Sequence, residues 1–471
     1  MSKSIRYQDR MSESDALLWN NERDPMLRST ILSVQILDGT PDPERFRAAV
    51  ERSLRVVPRL RQRVALDPIG AAPPRWEADP HFDLGYHFRR LGSPGDGSLR
   101  ALLDMAEPIA MQAFDKDRPL WELYQVDGLE EGRSAILMKL HHAVSDGVGL
   151  VRMTSSLVER SREPRPPRSG SSPKREAEPE ETAPRTPFEE ALEALRYRAE
   201  ENLSRTQRAA GALRRGVSEL LRDPIQAASS ARELVGSVGR LLRPVSDPLS
   251  PLMTGRSLGV RFDAIRLSLG DLKQAAKAVG GTLNDAFVAA VTGGLRLYHE
   301  SHGQPVDELR MTMPINLREG EKGQEAGNQF APARFNVPIG TADPVQRMRE
   351  IHERVLGQRA EPALRIAEDV SGILGRLPRA ASVALMGSML KAVDFVTSNV
   401  PGPPFTVYVS GARVEHMLGF GPLSGAAANV TLFSYDGEVQ IAINTDRAAV
   451  PDPEVLVECL EQGVAEVLSA S

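Results

Sequence analysis

Between Glu163 and Pro187 the chain reads "EPRPPRSGSSPKREAEPEETAPRTP", a run of proline and charge with almost nothing apolar. A segment of that composition cannot bury enough surface to offset the entropy of ordering it, so it reads as a disordered linker and the fold must form on either side of it. The predicted organisation is a first lobe over 1–158, a linker over 159–187, a helical insert over 188–254 and a second lobe over 255–471. Both lobes alternate strand-like and helix-like patterns, so the expected class is α+β, each lobe a mixed sheet with flanking helices. A chain of 471 residues is long enough for separate large cores.

Local patterns place the elements. "STILSVQILDG" is β-branched and strand-like, and "DPERFRAAVERSLRVVPRLRQRV" repeats apolar residues at helical spacing after an Asp-Pro start. "SAILMKLHH" reads as a strand and "GVGLVRMTSSLVER" as the helix after it, with Asp146 in the N-cap position. "FEEALEALRYRAEENL" and "ARELVGSVGRLLRP" make 188–243 amphipathic and arginine-rich, in the manner of a packed helix with a solvated face or of one lying on a membrane surface. In the second lobe, "TLFSYDGEVQIAI" is a hairpin turning at Asp436-Gly437, and "DPEVLVECLEQGVAEVL" is a closing helix.

Composition narrows the function. With 58 basic and 63 acidic side chains and a net charge of −5, no global field favours nucleic acid or anionic lipid. The single cysteine, Cys459, sits among apolar residues at helical spacing as core filler, and one thiol excludes an internal disulfide or a multi-thiolate metal site. The N-terminus lacks a continuous apolar h-region, and no run approaches the roughly 18 apolar residues of a membrane span. The expectation is a soluble, cytoplasmic chain, with peripheral contact to the inner membrane or lipid droplets compatible with it.

Chemistry concentrates in "KLHHAVSDGVGL", Lys139 to Leu150. Adjacent strand residues point to opposite faces, so His141 and His142 are badly placed to ligate one metal. In the register of "ILMKLHH", His142 shares a face with Ile136, Met138 and Leu140, and His141 with Leu137 and Lys139. One imidazole is thus offered to a cleft at the strand end and the other turned into structure; His142 is favoured for the cleft, although periodicity does not say which face is which. A neutral imidazole can take a proton from an attacking hydroxyl, and Gly147 can present helix N-terminal N–H groups to an oxyanion. Asp146 either orients the imidazole or caps its own helix; four residues of loop separate it from His142, which favours the cap. Histidines beside a turn are also ordinary structure, and on these grounds alone that reading stays open.

The motif "HHAVSDG" resembles the HHxxxDG signature of the acyltransferase superfamily that includes chloramphenicol acetyltransferase and the condensation domains of nonribosomal peptide synthetases. In order with "MSESDALLWNNERDP", "DRPLWELYQVDGL", "GGTLNDAFVAAVTGGLR", "MTMPINLR", "GNQF" and "TSNVPGPP", the chain is similar to the bacterial wax ester synthase/diacylglycerol acyltransferase family over nearly its whole length outside the linker. The resemblance implies two chloramphenicol acetyltransferase-like lobes with a tunnel between them. It implies a fatty acyl-CoA donor, a long-chain alcohol or diacylglycerol acceptor, direct transfer in a ternary complex, and no metal or other cofactor. It makes His142 the general base, His141 its supporting neighbour and Asp146 a structural carboxylate paired with an arginine of the second lobe, for which Arg318 is the candidate. Asn284 and Asp285 would cap or shape the site, Pro119, Leu120 and Trp121 would pack the first lobe, and Ser398 and Asn399 would lie near the tunnel. Two rivals remain: a related enzyme with another acceptor, and a non-catalytic lipid- or partner-binding member of the fold.

Overall fold

The first lobe starts with α1 (Glu13–Asn21), capped by the Ser12 hydroxyl, which accepts the Asp15 N–H at 3.0 Å. β1 (Thr30–Leu37) follows, then α2 (Pro43–Val56), whose Asp42 cap accepts the Arg45 N–H at 2.8 Å. The apolar repeat behind α2 runs on to Val64, but the helix stops at Val56, because Pro58 disfavours helical geometry in the residue before it and brings no N–H. The remainder becomes β2 (Gln62–Ala65), paired with β3 (Arg75–Ala78). After the short α3 (Leu84–His87) come β4 (Phe88–Gly92), α4 (Leu99–Met111), β5 (Trp121–Asp127) and β6 (Ser134–His141). A long helix, α5 (Pro187–Arg222), stands where the insert is expected. The second half contains β7 (Val260–Ser268), α6 (Leu269–Ala278), α7 (Leu283–Ser301), β8 (Glu308–Asn316), β9 (Phe330–Pro338), α8 (Pro344–Arg359) and α9 (Arg379–Leu390). It ends with β10 (Phe395–Pro401), β11 (Tyr408–Val409), β12 (Ala412–Phe420), β13 (Ala428–Tyr435), β14 (Glu438–Asp446) and α10 (Pro453–Ser469). This computed structural model describes residues 7–70, 72–145, 151, 154–163, 187–222, 232, 236–237, 239, 245, 247–316, 330–361, 372, 374 and 378–470. Residues 164–186 of the expected linker, together with Asp146, Gly147 and Arg318, lie outside the described residues.

The strands form two six-stranded mixed sheets, ordered β11-β12-β1-β6-β5-β4 and β7-β14-β13-β10-β8-β9. β11 and β12 come from the second half of the chain yet complete the first sheet, with Leu32 opposite Phe420 and Val34 opposite Leu418. The two halves are therefore stitched by strand exchange as well as by packing. Residues 159–163, at the start of the expected linker, run against β11: Glu159 exchanges backbone bonds with Tyr408, and Arg162 donates to the Gly411 carbonyl at 3.0 Å. A second tie is the Glu107 carboxylate of α4, 2% exposed, which accepts from the Phe262 N–H of β7 at 2.9 Å, from Arg100 at 2.9 Å and from Arg447 at 2.6 Å. Phe262 in turn stacks on Phe420 at 4.1 Å.

β6 lies inside the first sheet and all eight of its residues are buried. One face joins Ile136, Met138 and Leu140 to Trp121 and Phe46; the other joins Ala135 and Leu137 to Tyr124, Leu102 and Leu103. A strand covered on both faces reads as a continuous apolar run, which is the pattern of "SAILMKL". The second lobe is built around α7, buried from Asp285 through Leu295. The expected hairpin turns at Asp436 and Gly437, both with positive φ, and Cys459 is buried on α10 as predicted. No helix among the described residues is long and apolar enough to cross a membrane.

The contact of α7 with α10 depends on glycine. A Cβ on Gly463 would stand 2.3 Å from the Ala290 carbonyl oxygen and 2.4 Å from the Gly294 nitrogen, so any side chain there forces the helices apart. Gly463→Ala is expected to lower stability by about 1–3 kcal/mol, read as a reduced urea midpoint with an unchanged m value. An unchanged midpoint would contradict the packing described.

Candidate active site

The two histidines stand at the end of β6, where the strand leaves the sheet. The His141 N–H donates to the Leu120 carbonyl on the β5 side at 3.1 Å, and the His142 N–H donates to the Ser29 carbonyl on the β1 side at 2.7 Å. Successive strand N–H groups point to opposite neighbours and successive side chains to opposite faces, so the ladder separates the two rings. His141 is 1% exposed, whereas His142 is only partly buried. Of the two residues, His142 is the less buried. The chain turns at once, with the Val144 N–H donating to the His141 carbonyl at 2.9 Å.

His141 is held on every side. Its Nδ1 accepts the Ala143 N–H at 3.0 Å, and Trp19 and Phe114 meet its ring edge-on at 5.8 and 6.1 Å. Its Nε2 lies 3.2 Å from Oε1 of Glu22, a close but bent approach rather than a well-aligned hydrogen bond. The same Oε1 accepts the Ser29 N–H at 2.9 Å. Burial pushes the Glu22 carboxyl up, but His141, the Ser29 N–H and Arg28 outweigh it and hold the group below its ordinary value. Sequence reasoning missed Glu22. The available signal was its spacing from Trp19: three residues apart at the end of α1, both side chains face the same partner. Two residues before His141, Lys139 is fully buried, its Nζ 3.6 Å from Glu122 and 4.4 Å from the Phe114 ring centre; burial pushes this ammonium down despite Glu122.

The remaining predicted residues fall into two groups. Pro119, Leu120 and Trp121 are buried beside the histidines: the Trp121 indole donates to the Leu60 carbonyl at 2.7 Å and stacks on His87 at 4.7 Å, while Leu120 supplies the carbonyl that His141 uses. The second lobe holds the others: Asn284 and Asp285 open α7, and Ser398 and Asn399 lie on β10. Asp285 closes a capping box with Thr282 at the start of α7 and accepts from His352 Nδ1 at 2.8 Å, which accounts for the carboxylate structurally. Asn284 donates to Met313 Sδ on β8 at 3.4 Å. β8 and β10 run parallel, so Asn284, Ser398 and Asn399 gather toward the carboxyl ends of this pair. Ligands of open αβ sheets bind beyond such strand ends. Val400, next to Asn399, belongs to the same apolar cluster as Leu140, Ala143 and Val144. The second-lobe strand end and the histidine turn thus contribute to one apolar cluster. Just after β10 the chain passes close to β13 at Gly402, where a Cβ would stand 2.4 Å from both the Phe433 ring and the Ser434 carbonyl oxygen.

A carboxyl held below its unfolded value stabilises the fold above that value, and the contribution is lost as pH falls through the folded pKa. The Tm deficit of Glu22→Gln relative to the natural chain is therefore expected to be largest near neutrality and to shrink as pH drops below the ordinary glutamate value of 4.5. A deficit constant across that range would contradict a carboxyl held below its ordinary value in the fold.

Residues 11–287 match the wax ester synthase/diacylglycerol acyltransferase catalytic domain, and residues 326–467 match the C-terminal domain of the same family. A Mycobacterium tuberculosis protein assigned as a diacylglycerol O-acyltransferase is 38% identical over 470 residues, covering 99% of this chain and 93% of its own. A second from that organism, also assigned as a diacylglycerol O-acyltransferase, is 27% identical, covering 93% of this chain and 91% of its own. The solved wax ester synthase/diacylglycerol acyltransferase of Marinobacter aquaeolei VT8 superposes with a TM-score of 0.63 at 22% identity, covering 98% of this chain and 99% of that one. The first condensation domain of the calcium-dependent antibiotic synthetase superposes with a TM-score of 0.59 at 16% identity, covering 98% and 95%. The chain is a two-lobed acyltransferase and belongs to the wax ester synthase/diacylglycerol acyltransferase family.

Proposed function

We propose that the protein transfers a long-chain fatty acyl group from acyl-CoA to the hydroxyl of a long-chain alcohol or diacylglycerol, with His142 as general base. The observation that supports the reading is the contrast in burial between the two neighbours: His141 is 1% exposed and held by the Ala143 N–H, whereas His142 is only partly buried. In this mechanism the neutral His142 imidazole takes the acceptor's proton as the oxygen attacks the thioester carbonyl. The tetrahedral intermediate collapses with loss of CoA thiolate, which recovers the proton from the imidazolium, so the step balances without a covalent enzyme intermediate or any cofactor. The Gly147 N–H would serve the oxyanion, and Asp146 with Arg318 would brace the motif. The acyl donor and the acceptor would reach His142 through a shared tunnel, with Asn284, Ser398 and Asn399 shaping its second-lobe side.

His142→Ala is expected to lower kcat by about 10²–10⁴-fold while leaving Tm unchanged, measured as CoA release from hexadecanoyl-CoA with hexadecanol as acceptor. Natural turnover in that variant would remove the base assignment. An acceptor panel of hexadecanol, diacylglycerol and a long-chain amine separates the proposed reaction from a related one: release is expected with the hydroxyl acceptors, and release with the amine alone would overturn the O-acyltransferase reading.

Acceptors this apolar reside in lipid, so the proposal includes peripheral contact with the inner membrane or lipid droplets. Leu192, Leu195 and Leu203 of α5 are 39%, 54% and 60% exposed at near-helical spacing, which suits shallow insertion. The double change Leu195→Asp, Leu203→Asp is expected to reduce co-sedimentation with lipid vesicles several-fold; unchanged binding would exclude this face.

A further inference from the structure

Glu22 is a buried acid that the proposed chemistry does not use. Its carboxylate works through one oxygen: Oε1 accepts the Ser29 N–H at 2.9 Å and lies 3.2 Å from His141 Nε2. Each of those neighbours fixes one side of His142. The Ser29 carbonyl accepts the His142 N–H at 2.7 Å, and His141 Nδ1 accepts the N–H of Ala143, the residue after it, at 3.0 Å. A ring nitrogen that accepts an N–H carries no proton, so these bonds assign the proton of neutral His141 to Nε2, facing Glu22. Without that acceptor, the proton would face only the Trp19 and Phe114 edges, and the ring could satisfy itself by moving its proton to Nδ1 or by rotating. Either change breaks the bond to Ala143 and loosens the turn that carries His142. Burying a carboxylate at 8% exposure is costly, and an apolar side chain would pack there more cheaply.

We propose that Glu22 is a positioning residue, whose single accepting oxygen fixes the tautomer of His141 and the backbone of Ser29 and thereby aims the His142 ring. This rests on the reading of His142 as the general base. The role needs an acceptor more than a charge, because one oxygen serves both contacts. Glutamine can place its carbonyl oxygen where Oε1 stands; methionine fills similar volume and accepts almost nothing.

The test compares Glu22→Met, Glu22→Gln and His142→Ala in the full-length purified protein, with kcat and KM measured by CoA release from hexadecanoyl-CoA and Tm measured alongside. Misplacing a reacting group by about 1 Å can cost on the order of 10²-fold, so Glu22→Met is expected to lose roughly 10- to 100-fold in kcat, with KM for acyl-CoA changed by less than about threefold. Glu22→Gln is expected to recover most of that loss. Three results overturn the proposal: natural kcat in a folded Glu22→Met, an effect confined to KM, or equal losses in the Gln and Met variants. Should Glu22→Met fail to fold, Glu22→Asp, which withdraws the acceptor by one methylene, is expected to lower kcat at unchanged KM, and natural kcat there overturns the proposal. His142→Ala keeps the two readings apart. If it retains turnover, the base assignment itself falls; if it abolishes turnover while Glu22→Met has natural kcat, only the role of Glu22 falls.

Discussion

A strand with neighbours on both sides must send alternate N–H groups left and right, and the end of β6 does so across two adjacent histidines. His141 is bonded toward β5 and His142 toward β1. Sheet geometry therefore separates the rings before any side-chain preference acts. One falls into the aromatic packing of α1 and the segment around Phe114, and the other emerges where the strand gives way to a turn. Identical side chains in sequence become unlike residues, one fully buried and one only partly so. The rest of the fold keeps that strand end fixed: α4 and the Trp121 side of the sheet cover its two faces, and β12 from the far half of the chain backs β1.

Buried carboxylates recur as junctions. Glu22 joins α1 to the ends of β1 and β6; Glu107 joins α4 to β7 and Arg447; Asp394 accepts from the N–H groups of Ser250 and Arg310 at 2.9 and 2.7 Å. Glu107 and Asp394 each collect donors from segments distant in sequence and Glu22 sits against the distant His141; a buried charge held this way ties those segments together, because losing a partner leaves the anion poorly compensated. In a two-lobed chain, such junctions set the relative placement of the segments they join.

Much of this was legible in the sequence. The strands around "STILSVQIL" and "SAILMKLHH", the hairpin at Asp436-Gly437 and the closing helix follow from periodicity and turn chemistry, and the ordering of motifs carried the family. Three features were not legible, each for a physical reason. Alternation marks a strand but not its partner, so nothing in "YVSGARVEHMLGF" indicated that β11 and β12 pair with the first sheet. The α2 pattern continued through Pro58, where backbone sterics, rather than hydrophobic period, ended the helix. Glu22 looked like a polar residue at a helix end; its role depends on β1 and β6 arriving beside it, which is a property of tertiary structure alone. Asp285, which the family resemblance left as either a helix cap or a site-shaping residue, forms a capping box with Thr282.

The central claim is that His142 is the reachable, reacting imidazole and His141 a sealed one. Limited modification with diethylpyrocarbonate, with the modified histidine located by fragmentation mass spectrometry, addresses it in the natural sequence. The account predicts that carbethoxylation of His142 tracks loss of acyl transfer, that acyl-CoA protects both, and that His141 stays unmodified until the protein unfolds. Inactivation that leaves His142 unmodified, or reaction at His141 first, would contradict it.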